Sequence, residues 1–110
     1  MTALGLTQMT VAQYAEQEAR VARGAALLDA NVLGWWDLID TGSLNLSSYE
    51  MCVLGQVFGS YGAGLWELGL QAESEGEDSR HGFCPDTPQE TRVQTALWCK
   101  VIQERRDSHG

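Results

Sequence analysis

The sequence predicts an all-α fold: a small single-domain helical bundle with two long terminal helices around a short, glycine-jointed helical middle. Three observations predict it. Capping boxes pair Thr10 with Gln13, Ser47 with Glu50 and Thr87 with Glu90, the arrangement in which a side chain at the helix start and one three residues later satisfy each other's backbone amides. Apolar residues then recur at steps of three, four or seven. No stretch sustains the alternation of a half-buried strand. With 110 residues, 44% hydrophobic content and four Trp, the chain can bury one core, and two domains would each be too small.

Residues 1–9 lack a period and read as a loose arm. The first helix begins at Val11, with Met9 and Tyr14 at the positions of a hydrophobic staple. Val11, Tyr14, Val21, Ala25, Leu28 and Val32 make one stripe, interrupted by Glu18, and alanines keep its flanks thin. Packing within the chain is the favoured use of this stripe; pairing with a second copy, giving a homo-oligomer through residues 11–32, is the alternative. Asn31 or Gly34 should stop the helix. The segment WWDLID follows, a short helix or turn. Neighbouring residues on a helix point about 100° apart, so Trp35 and Trp36 cannot both enter one core.

The middle of the chain, residues 44–70, is dense in apolar and glycine residues and has no basic one. A helix is expected from Ser48, with Leu46 and Met51 as a staple and Met51, Leu54, Val57 and Phe58 on its apolar face. Gly59 should end it, since glycine alone takes the left-handed conformation without steric cost. Gly55, inside that helix, points to the close approach of another backbone. Residues 60–64 should turn the chain into a second short helix carrying Leu65, Trp66, Leu68 and Leu70. Residues 71–80 are acidic and nearly devoid of apolar side chains, and read as a loop. Phe83 should anchor the return. The last helix is expected from Pro88 to about Arg105, with Val93, Ala96, Leu97, Lys100 and Val101 on one side, widened by Trp98 and Ile102, and a frayed tail over 107–110.

The formal net charge of −8 argues against direct nucleic-acid binding, which draws its affinity from Lys and Arg. No Lys or Arg lies between Gly24 and Ser79, so the molecule should have an acidic middle and a basic edge. No apolar run is long enough to span a membrane, and the start lacks the order of a signal peptide, so a cytoplasmic protein is expected. Three cysteines, an odd number, are expected reduced.

No catalytic constellation, cofactor motif or paired metal motif occurs. GSYGAG lacks the lysine of a phosphate loop and follows a helix rather than a strand. His81 and Cys84 have the spacing of half a zinc site that Cys99 or Cys52 could complete, but no second close pair exists. The segment RGAALLDANVLGWWDLID, with the later CVLGQ preceded by Ser-Ser, the GSY, the GL pairs and HGF, resembles a set of small uncharacterised proteins of actinobacteria and their phages. The likeness covers most of the chain from about Arg23 to Trp98. It implies a phage or prophage origin and no mechanism; the doubled Trp departs from the pattern of those relatives.

The function expected is a non-enzymatic interaction module that binds and modulates a host or phage protein. Its contact face is expected at Trp35, Trp36, Asp37 and Asp40, because aromatic residues are enriched at binding hot spots and the carboxylates suit a basic partner. An acidic nucleic-acid mimic that blocks a DNA-binding protein is the first alternative. An enzyme or small zinc protein using His81, Cys84 and Cys99 is the second.

Overall fold

The computed structural model describes residues 9–70 and 76–109. Among them are five helices and no strand: α1 (Val11–Asn31), α2 (Val53–Phe58), α3 (Tyr61–Leu68), α4 (Glu77–Arg80) and α5 (Pro88–His109). Two 3-10 turns, Trp35–Leu38 and Thr41–Ser43, join α1 to the middle. The long terminal helices pack on each other, α2 pairs with α3, and α4 lies against α1. The all-α architecture with long terminal helices is therefore as the sequence predicts. Most of the expected N-terminal arm (1–8), half of the acidic loop (71–75) and Gly110 lie outside the described residues.

The capping box of α1 forms in both directions. Thr10 Oγ1 accepts from Gln13 N at 3.0 Å and Gln13 Oε1 accepts from Thr10 N at 2.9 Å. The helix ends at Asn31, and Gly34 takes the left-handed conformation at φ 74° before the Trp turn. Its stripe is buried only from Gln17 onward, through Val21, Gly24, Ala25 and Leu28, while Val11 and Tyr14 stay exposed. Val21, Ala25 and Leu28 of the stripe are thereby used within the chain.

The middle departs from expectation. The Ser47–Glu50 box does not form, and α2 starts at Val53 rather than Ser48. Short polar side chains take the backbone amides first: Asn45 Oδ1 accepts from Ser47 N, and Ser48 Oγ accepts from Glu50 N and Met51 N. Met51 O accepts from Asn45 N and Gln56 Nε2, so it is not used for a helical bond from Gly55, whose amide goes to Cys52 Sγ instead. Leu46 enters the core and Met51 remains exposed, so the expected staple is not made. At Gly55 a Cβ would lie 2.4 Å from Glu50 O, the close backbone approach the sequence implies. Residues 61–64 are the first turn of α3 rather than a loop, because Ser60 Oγ caps Ala63 N at 3.1 Å. Gly64 brings α3 directly onto Leu54 of α2.

Residues 77–80 form α4 instead of continuing a loop. They are tied to α1 by Arg20, which donates to Ser79 Oγ, and Arg23, which donates to Arg80 O. At the last helix Thr87 Oγ1 accepts from Glu90 N, but Glu90 turns its carboxylate to Asp86 N, so that box is only half made. α5 then runs past Arg105 to His109, since its last turns are held by tertiary contacts described below. Its buried face is Gln94, Leu97, Trp98 and Ile102; Ala96 and Lys100, expected inside, are exposed.

Trp98 is the centre of the core. It is fully buried, donates Nε1–H to Gly82 O at 2.8 Å, stacks on Phe83 at 5.5 Å and meets Trp35 in a T-shaped pair at 5.9 Å. The indole fits because Gly24 opposite has no side chain: a Cβ there would lie 3.0 Å from the ring and 2.1 Å from His81 O. Gly24→Ala should destabilise the fold toward the upper end of the about 1–3 kcal/mol cost of overpacking, read as a lower midpoint in urea unfolding.

A buried polar pair crosses the two terminal helices. Gln94 Nε2 donates to Gln17 Oε1 at 2.5 Å, while Gln94 Oε1 has no partner among the described residues. Gln17→Met should therefore cost about 1–3 kcal/mol, because both ends of the Gln94 amide are then unpaired. Adding Gln94→Met should return stability to the parent value or above in the same unfolding experiment.

Candidate interaction face

The turn after α1 separates the two tryptophans that the sequence places side by side. Trp35 is fully buried and donates Nε1–H to Asp29 Oδ1 at 2.8 Å. Trp36 is half-buried at the rim, its ring stacked on His109 with centroids 4.9 Å apart. The backbone of the turn is held from α5: the Arg106 guanidinium donates to Trp36 O at 3.0 Å and to Ile39 O. From below, Arg105 makes a two-pronged bond to Asp29, 3.2 Å to Oδ1 and 2.7 Å to Oδ2. One carboxylate thus joins a core tryptophan to the end of the last helix.

Asp37 is exposed, and its carboxylate makes no hydrogen bond or ion pair among the described residues. Beside it Leu38 is 53% exposed, and Leu33, before the turn, is fully exposed. Asp40 has a different part. Its carboxylate accepts from Gly42 N and Ser43 Oγ, and its own backbone N–H and C=O bond to the Gln56 side chain. Of the four expected contact residues, two stand at a usable surface. Trp35 is corrected to a core residue, because nothing of it is open to a partner, and Asp40 is chiefly a turn cap. Asp29, Leu33, Trp36, Arg105 and His109 border an open depression of about 330 Å³ at the same rim. The sequence carries no pairing signal for Arg105, Arg106 and His109, since spacing says nothing of which turn a helix end will meet.

The remaining candidates are arranged otherwise. His81 turns Nδ1 to Glu77 O at 2.7 Å and stacks on Phe83. Among the described residues no three His, Cys, Asp or Glu side chains converge as a metal site. Burial pushes the thiols of Cys52, Cys84 and Cys99 up, and Asp78 adds to this at Cys84, so each favours the neutral thiol over the thiolate a nucleophile requires. The carboxylates of Asp29, Asp40, Glu77 and Asp78 are bound to partners inside the molecule, whereas those of Asp37, Glu50 and Glu67 have none among the described residues.

The Arg105 hydrogen bond holds the Asp29 carboxyl below its usual range, with help from Trp35 and against partial burial. A depressed carboxyl stabilises the fold above its unfolded value of 3.8 and loses that contribution as the pH falls through the folded value below it. Arg105→Gln should flatten the fall in urea midpoint between about pH 5 and about pH 2.5, by no more than about 1 kcal/mol because the pair is solvent-screened.

Comparison of the chain with protein-family models, with curated proteins and with solved structures found no match.

Proposed function

We propose that the chain is a non-enzymatic interaction module, encoded by an actinobacterial phage or prophage, that binds and modulates a host or phage protein in the cytoplasm. The phage origin rests on the resemblance carried by residues such as those of CVLGQ. The interaction reading rests on the turn at Trp36, Asp37 and Leu38. A carboxylate with no partner among the described residues sits there between an aromatic ring and an exposed leucine, on a backbone held by Arg106. A fixed backbone lowers the ordering cost of association, and an aromatic anchor beside a free charge supplies both contact area and orientation. The partner should offer an apolar pocket with a basic rim.

This reading is favoured over nucleic-acid mimicry. A mimic needs its carboxylates free along one surface, and Asp29, Asp40 and Glu77 are committed within the fold. No helix among the described residues is long and apolar enough to cross a membrane.

The test is capture of the partner from an actinobacterial lysate by the tagged chain, compared with Asp37→Lys and Trp36→Ala. Both substitutions leave the Arg106 bonds to backbone carbonyls in place; Asp37→Lys changes an exposed side chain and should leave the melting profile little changed, whereas Trp36→Ala gives up packing on the core and the stack on His109 and should lower it, so capture is compared at a temperature where both variants are folded. Each variant should weaken capture by about 2 kcal/mol or more, the scale of a hot-spot residue. Undiminished capture by both would reject this face.

A further inference from the structure

A second surface feature shares no residue with the tryptophan rim. Tyr49, Tyr61, Asp78, Ser48, Phe83 and Pro85 help line a cleft of about 390 Å³. The two tyrosine rings stand 5.8 Å apart and tilted by 39°, and their backbones are joined by the Tyr61 N–H bond to Tyr49 O at 2.8 Å. Tyr49 is 75% exposed and so presents most of its ring to whatever enters. Tyr61 donates its hydroxyl to Asp78 Oδ2, and Ser79 N donates to Asp78 Oδ1. Each carboxylate oxygen is thereby oriented and keeps a second acceptor position open.

Asp78 is the one charged residue lining the cleft among the described residues. Arg80, two residues on, pairs with Glu77 instead. Aromatic faces and an oriented carboxylate both favour positive charge, and their combination excludes the simpler occupants. A neutral ring would leave the carboxylate unanswered, and a metal ion would find a single carboxylate. A planar guanidinium satisfies all parts: it lies against the tilted tyrosines and directs its forked N–H groups at Asp78.

We infer that this cleft receives an arginine side chain of the protein partner. The inference rests on the interaction-module reading, and it extends it from a basic rim in general to one residue type at one place. It also gives the absence of Lys and Arg from residues 24–79 a use, since among the described residues no Lys or Arg pairs with the Asp78 carboxylate.

The test needs no partner. The full chain, labelled for NMR, is titrated with N-acetyl-arginine methylamide, its lysine counterpart, its neutral isostere N-acetyl-citrulline methylamide, and free L-arginine. Saturable shifts centred on Tyr49, Tyr61 and Asp78 are expected with the blocked arginine at Kd of about 1–10 mM, weaker ones with lysine and none with citrulline. Tyr49→Ala, a change at an exposed ring, should weaken binding about tenfold, and Tyr49→Phe should retain it. Equal binding of citrulline, unchanged binding by Tyr49→Ala, or no saturation overturns the assignment. Free arginine binding more than about tenfold tighter than the blocked form would also overturn it, pointing to a free amino acid instead of a protein side chain. Failure here together with loss of capture by the rim variants would reject the cleft alone. Undiminished capture by those variants would reject the rim whatever the titration shows.

Discussion

The fold depends on the place made for the Trp98 indole. Three elements meet on that ring: α1 gives up a side chain at Gly24 to admit it, the turn after α1 sends in Trp35, and the segment before α5 supplies Phe83 and the Gly82 carbonyl. The indole brings a large apolar area and one N–H that must be satisfied, and here a single backbone carbonyl satisfies it. In a chain of this size one such aromatic cluster is a substantial share of the core. The terminal helices are therefore joined through the middle of the sequence as well as along their mutual contact.

A polar chain of contacts leads outward from that cluster. Trp35 reaches Asp29, Asp29 reaches Arg105, and the next residue, Arg106, grips the turn that carries Trp36. This explains why α5 continues to His109 when its last residues have no apolar reason to be helical. The helix end is useful as a scaffold for someone else's turn, and the cost of ordering it is offset by bonds to Asp29, Trp36 and Ile39.

The parts legible in the sequence are those governed by neighbours a few residues away. Thr10 and Gln13 announce α1, Gly59 ends α2, and Pro88 opens α5, because caps, left-handed stops and first-turn prolines are local events. The Ser47–Glu50 box has the same spelling and fails, since Asn45 and Ser48 offer the backbone an equally local alternative and Gln56 fixes the result from outside. The face of α5 is legible in Val93, Leu97, Trp98, Val101 and Ile102, which pack on the core, but not in Gln94, which is buried against Gln17, a partner far away in sequence. For the candidate site, the divergence of adjacent tryptophans was legible from helical geometry, but which of them is inside depended on Asp29. The Tyr49, Tyr61 and Asp78 cleft had no sequence signature at all, being assembled from three separate segments.

The manner in which Arg106 holds its turn has a consequence for how such a protein can diversify. The guanidinium binds carbonyl oxygens, groups that every residue possesses, and asks nothing of the side chains at positions 36, 37 and 38. Mounting and cargo are thus separable. On the interaction reading proposed above, a lineage under pressure from a changing target could exchange the displayed residues one after another while the support beneath them stayed in place, altering what is recognised without first having to solve the fold again.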